Sequence, residues 1–140
     1  MHHIIYISRA TRQLSSIELI ALLVQARRKN EAIGITGAMV YSEGQFMQVL
    51  EGDEATVTAL YKCILADARH QAILKLADKP IAERQFLNWT MAFREITPAQ
   101  MKGLDGYTSP AEWEQLSANN SSADTLLLKH MRKLVLVRGV

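Results

Sequence analysis

The chain carries almost nothing that could staple, anchor or strongly charge it. Its one cysteine, Cys63, excludes an intramolecular disulfide and argues against a thiolate metal site, so a reducing compartment is expected. Lysine and arginine total 16 against 14 aspartates and glutamates, a formal charge of +2. Such balance gives no electrostatic case for nucleic acid or an anionic membrane. Long apolar runs are missing too. Ile4, Ile5 and Ile7 are interrupted by Tyr6 and Ser8, too short a stretch for a leader. Residues 126–137 contain Lys129, His130, Arg132 and Lys133, whereas a spanning helix needs about 20 mostly apolar residues. A soluble cytoplasmic protein is the expectation.

Familiar catalytic signatures are also absent. There is no Walker loop, and Gly34-Ile35-Thr36-Gly37 lacks the spacing of a dinucleotide fingerprint. No Ser/His/Asp or Cys/His arrangement is evident, and Cys63 falls in mid-helix, away from a helix N-terminus that would activate it. His2 and His3 read as solvated terminal residues without further ligands, and no metal site is expected. What is present is ordinary globular material: 140 residues, 49% apolar and 21% charged, enough for one core.

The periodicities give an order of elements. Residues 3–8 read as a strand apolar on both faces, with Ile5 and Ile7 on one and Ile4 and Tyr6 on the other. Residues 15–30 read as a helix opened by the capping box Ser15/Glu18, with Leu19, Leu22, Leu23 and Ala26 as its inward stripe. Asn30 extends that stripe, and on spacing alone a C-cap is its favoured role. Arg27, Arg28 and Lys29 suit a solvated helix end. Residues 35–41 and 45–51 read as a hairpin about Ser42-Glu43-Gly44. In its second strand Gln48 shares a face with Phe46 and Leu50. A buried amide there needs partners, and either backbone or a ligand could supply them.

A second helix is expected from Asp53 to about Ala68, with Val57, Leu60, Ile64 and Ala68 inward. Cys63, Asp67 and His70 would follow an adjacent row, joined by Arg69; a surface ion pair explains these charges as readily as a site does. Strands are expected at 73–81 and 88–96, the latter placing Trp89, Met91 and Phe93 on one face. Short helices at 98–104 and 110–116, a polar linker at 117–122 and an apolar segment at 126–137 follow.

Strand, helix, strand, strand, helix, strand and a further strand is an α+β order. It predicts a ferredoxin-like βαββαβ sandwich with an extra strand and a C-terminal helical extension. In that architecture the first and third strands are neighbours, so Tyr6 and Gln48 can lie side by side under the helix pair, with Asn30 above them.

These residues also carry a resemblance. Over residues 4–94 the chain resembles the BLUF (blue light using flavin) photoreceptor domain, of the short single-domain type. The matching pieces are Ile5-Tyr6, Arg28-Lys29-Asn30, Gly34-Ile35-Thr36-Gly37, Phe46-Met47-Gln48-Val49-Leu50-Glu51-Gly52, Asp67-Ala68-Arg69-His70 and Trp89-Thr90-Met91. The resemblance implies an FAD ring held between the two helices, sandwiched by Leu22 and Ile64. It implies that Asn30 bonds the carbonyl and imide edge and that Gln48 bridges Tyr6 and the N5/O4 edge. Asp67, Arg69 and His70 would bind or flank the ring and ribityl chain, and Trp89 and Met91 would lie near Gln48 and shift with signalling state. Two positions depart from the pattern. Cys63 stands near the ring's C2 carbonyl, where relatives often carry a basic or polar side chain, and Lys29 stands where they often carry His or Asn.

The implied activity is a photocycle without substrate turnover. Light moves an electron and a proton along Tyr6 and Gln48, Gln48 rotates or changes tautomer, and the absorption shifts red. Residues 1–96 would be the sensory domain and residues 97–140 a C-terminal helical cap or output extension. About 46 residues follow Arg94, too few for a typical catalytic domain of ~100. Signalling to a separate effector protein, with a homo-oligomer as the expected assembly, follows from that. The alternatives are a ferredoxin-like nucleic-acid-binding or regulatory interaction module without photochemistry, and a small flavin enzyme. The first is disfavoured by 6% aromatics and the even charge. The second needs an open face by the ring's N5, which Gln48 with Trp89 or Met91 would occupy.

Overall fold

The computed structural model describes residues 1–86, 89–105, 128 and 131. The elements are β1 (His2–Ala10), α1 (Ser16–Ile33), β2 (Thr36–Ser42), β3 (Gln45–Gly52), α2 (Glu54–Leu65), β4 (His70–Pro80), β5 (Ala92–Glu95) and α3 (Pro98–Asp105). The sheet runs β4-β1-β3-β2-β5. β1 is antiparallel to β3 and β4, β2 is antiparallel to β3, and β5 lies parallel to β2. This is the ferredoxin-like split βαβ with an added edge strand. None of the described helices is long and apolar enough to cross a membrane.

Side chains alternate across a strand, and here both faces are covered. On one face Ile4, Tyr6, Met39, Tyr41, Phe46 and Leu50 pack under Leu19 and Leu23 of α1 and Val57, Leu60 and Tyr61 of α2. On the other, Ile5, Ala38, Val40, Met47 and Val49 meet Phe86, Ile96, Met101, Leu128 and Met131. The two-sided apolar pattern of the first strand is thereby accounted for. Leu128 and Met131 are helical and buried, so the apolar segment expected at 126–137 is helical at those two positions, its other residues lying outside the described ones. The expected elements at 110–116 and 117–122 lie outside the described residues.

Local chemistry sets the boundaries. The Ser15 hydroxyl accepts the Glu18 N–H at 3.2 Å and the Glu18 carboxylate accepts the Ser15 N–H at 3.2 Å, the expected capping box. α1 does not stop at Asn30. It continues to Ile33 and closes at Gly34, whose φ of 72° is the left-handed conformation glycine adopts freely. Asn30 is therefore an interior helix residue and not a cap. The hairpin turn has φ of 45° at Glu43 and 85° at Gly44, a two-residue loop suited to the strand twist. At Gly37 a Cβ would fall 1.9 Å from the Val49 carbonyl oxygen, so the close approach of β2 and β3 needs glycine.

Three further expectations are corrected. α2 ends at Leu65, so Ala68 is exposed, and Asp67 and His70 belong to the turn and the start of β4 and not to a helical row. β5 begins at Ala92, leaving Trp89 and Met91 in an irregular approach to it. His2 and His3 are buried within β1, and the His2 imidazole contacts the Asp78 carboxylate.

Candidate functional site

Tyr6 sits opposite Gln48 across the β1/β3 ladder, and Gln48 sits opposite Met39 across the hairpin. Parity sends all three side chains to the helix-covered face. There the buried Tyr6 hydroxyl donates to Gln48 Oε1. The other end of the amide, Nε2, donates to Met91 Sδ at 3.5 Å. A thioether is a weak acceptor, so this buried amide has a firm partner on one side and a soft one on the other. Burial, reinforced by Tyr61 and Asp67, raises the Tyr6 pKa far above that of an ordinary phenol. Tyr6 therefore keeps its proton and serves as the donor of the pair.

Asn30 is 3% exposed, and its Nδ2 donates to the Thr90 carbonyl at 2.7 Å. A carbonyl can only accept, which fixes the amide's orientation and leaves its Oδ1 and one N–H for other partners. Asp67 builds the opposite rim. Its Oδ1 accepts the Arg69 backbone N–H at 2.9 Å, a local turn, and its two oxygens receive the Arg69 guanidinium at 2.6 to 3.1 Å. Those side-chain hydrogen bonds from Arg69 hold the Asp67 carboxyl at a pKa of about 2. His70 Nδ1 lies 3.1 Å from Ser8 Oγ, and burial lowers its pKa.

These groups surround a cavity of about 350 Å³ between α1 and α2. Every residue expected to touch a flavin lines it: Leu22, Lys29, Asn30, Gln48, Cys63, Ile64, Asp67, Arg69 and His70, with Tyr6 in the floor. Gln25, Met39 and Leu60 line it as well and were not anticipated. Gln25 lies one helical turn before Lys29, and Met39 faces Gln48 by hairpin register; both were signals available in the sequence. A second cavity of about 290 Å³ adjoins the first, sharing Leu22, Gln25, Arg69 and His70.

Trp89 and Met91 do not share a face as expected. Met91 is 1% exposed and belongs to the cluster under the helices, beside Gln48. Trp89 packs on the opposite side of the sheet, its ring 6.2 Å from that of Phe86. Irregular backbone before β5 permits both directions within three residues.

The cavity suits a flat heteroaromatic ring. Its size is within the ~300–1,000 Å³ common for small-molecule sites, and aliphatic side chains from two helices face each other across it. One edge carries amide donors and acceptors with capacity to spare. The family model described as sensors of blue-light using FAD matches residues 1–92. The chain belongs to the BLUF family. BLUF proteins are blue-light sensors, and the cofactor of the family is FAD. The photoactivated adenylate cyclase subunit beta of Euglena longa is 39% identical over 87 residues, covering 61% of this chain and 10% of that protein. This chain therefore matches a small part of its curated relatives. BlrB, a BLUF protein solved in its dark state, is 29% identical with a TM-score of 0.66, covering 96% of this chain and 94% of that one. BlsA in its photo-activated state has the same fold, with a TM-score of 0.72 at 23% identity and the same coverage.

Proposed function

We propose that this BLUF chain is a blue-light receptor that switches through Tyr6, Gln48 and the flavin edge and passes the signal to a partner protein by contact. The buried Tyr6–Gln48 hydrogen bond in the floor of the cavity carries this reading. Leu22 and Ile64, which line the cavity from the two helices, would clamp the ring, Asn30 would take its imide edge, and Lys29 and Cys63 would flank the C2 side. Arg69 and His70 stand where the two cavities join, and with Asp67 they would meet the ring and ribityl chain.

When bound, the flavin supplies blue-light absorption and an excited state able to accept an electron. Tyr6 is the donor at the cavity floor, and its proton already points at Gln48 Oε1. Tyr6 would give up an electron and this proton along one path and take both back along it, so that nothing is consumed and only the amide is left changed. Gln48 then rotates or changes tautomer, which exchanges its donor and acceptor ends. Met91 Sδ cannot donate, so an oxygen turned toward it has no partner. A stronger hydrogen bond from Gln48 to the ring edge would be the source of the red shift. No substrate is turned over, because Gln48 and Met91 fill the flank a hydride donor would need.

Exchanging one or two hydrogen bonds shifts free energy by about 0.5–1.5 kcal/mol each, enough to bias a nearly balanced segment. Trp89, Met91, β5 and the C-terminal extension form that output path, and a homo-oligomer is its assembly. The curated relatives named photoactivated adenylate cyclase subunits support coupling to an effector. The single cysteine suits a reducing, cytoplasmic setting.

Light-minus-dark difference spectroscopy tests the photochemistry. The wild-type protein shifts red and recovers in darkness; Tyr6→Phe and Gln48→Leu bind flavin and show no shift. A normal shift in Tyr6→Phe defeats the mechanism. Co-purification in light and darkness tests the output, and identical partner binding in both defeats it.

A further inference from the structure

Trp89, Thr90 and Met91 precede β5 without belonging to it, yet each of their carbonyls is held. The Trp89 oxygen accepts the Gly37 N–H at 3.0 Å, the Thr90 oxygen accepts Asn30 Nδ2 at 2.7 Å, and the Met91 oxygen accepts Arg27 Nε at 3.0 Å. Three donors from β2 and α1 thus replace a strand ladder. They fix a segment whose side chains point to opposite sides of the sheet. The Gly37 contact is backbone to backbone, and Asn30 lines the cavity itself. Arg27 does neither. It is exposed and lies outside the cavity lining, and its hydrogen bond is to the residue whose sulfur touches Gln48 at 3.5 Å.

We infer that Arg27 is a positioning residue for the photoswitch: by holding the Met91 carbonyl it keeps the Met91 thioether against Gln48 Nε2 and so stabilises the dark orientation of the amide. This rests on the proposed Tyr6–Gln48 switch. Without Arg27 the Met91 carbonyl turns to water, which is available there because the contact is only part-buried. The Met91 side chain then spends less time against Gln48. The dark orientation loses a weak hydrogen bond that the illuminated orientation never had. The illuminated state consequently lasts longer.

The test compares wild type, Arg27→Ala and Arg27→Gln in the full chain with FAD. Glutamine places a nitrogen donor the same number of bonds from the backbone as Arg Nε, but carries no charge. Arg27→Ala binds flavin at wild-type stoichiometry and slows dark recovery by about threefold, the scale of one weak hydrogen bond. The Met91 methyl resonance, observed with [13C]methyl-methionine, moves in Arg27→Ala both with and without flavin. Arg27→Gln restores both readouts. Adding Met91→Leu removes the sulfur acceptor, and on that background Arg27→Ala has no further effect on recovery.

Unchanged recovery and an unmoved Met91 methyl in Arg27→Ala overturn the inference, as does a recovery change that persists on the Met91→Leu background. Tyr6→Phe, measured in parallel, separates the two failures. If it still abolishes the red shift while Arg27→Ala is silent, the switch stands and only the role of Arg27 falls. If it shifts normally, the switch itself falls.

Discussion

The two faces of the sheet are built from the same strands with opposite rules. On the face away from α1 and α2, Ile5, Met47 and Val49 close on Phe86, Met101, Leu128 and Met131, and all but Met101 and Leu128 are at most 1% exposed. The one carboxylate among these β3 residues, Glu51, is fully buried and fully engaged. It accepts the Thr36 hydroxyl at 3.0 Å and the N–H groups of Gln85 and Phe86 at 2.6 and 3.0 Å. On the helix-covered face, next in sequence, Gln48 donates to a sulfur, and a cavity remains above it. Glu51 on the first face is saturated by protein and serves stability. On the second, Gln48 and Asn30 keep unused capacity, which a ligand can take up. Residues 89–91 turn Trp89 to one face and Met91 to the other, so a change at Gln48 has a short route across.

The largest expected effect breaks this contrast most directly. Met47→Ala removes a fully buried side chain from the packed face and costs about 2–5 kcal/mol in urea denaturation, with the light-induced shift intact in the folded fraction. Gln48→Leu, one residue along, costs far less while the shift is lost. Equal stability costs for the two would mean that the cavity face is as tightly determined as the other. Glu51→Ala comes next. It leaves the Gln85 and Phe86 N–H groups without their acceptor and costs about 2–3 kcal/mol. Because those residues lead into the Trp89 segment, hydrogen exchange at 84–86 rises with it; unchanged protection there would exclude Glu51 as the anchor of the segment.

Much of this was legible in the sequence because it rests on short-range rules. Ser15 and Glu18 cap α1 as their spacing requires, and the alternation along residues 46–50 sorts β3 onto its two faces. Element order alone put Tyr6 beside Gln48. The misses share a different cause. Asn30 was favoured as a cap, but Gly34 takes the left-handed position at lower cost, and the freed amide reaches Thr90, 60 residues away. α2 stops early because Asp67 bonds the backbone of Arg69, which helical periodicity does not register. The last strand begins late because Asn30 and Arg27 hold the Thr90 and Met91 carbonyls, sending Trp89 and Met91 to opposite faces. No local signal marks Arg27, an exposed residue among other cations, as a partner of Met91.

The smallest effect sharpens the contrast through pH, because the cavity face carries a titratable group whose charged form it disfavours. Burial lowers the His70 pKa below its ordinary 6.5; Arg69 acts in the same direction, and Asp67 partly offsets both. Ser8 Oγ and the Phe46 ring also face the imidazole, and neither is charged. Asp67 stays ionised down to about pH 2, so it does not titrate in the range that matters for His70. A base with a depressed folded pKa contributes stability that is complete above the unfolded value. As pH falls through about 6.5, the unfolded chain takes up a proton that the folded chain resists, so unfolding gains and stability declines until the folded His70 also titrates. Urea midpoints measured between about pH 7.5 and 5 should fall with pH in the wild-type protein. In His70→Asn, which keeps a nitrogen or oxygen near Ser8 without a titrating ring, they should fall less. Identical slopes in the two proteins would show that His70 is as easily protonated in the folded cavity as in water, and that this face does not exclude positive charge there.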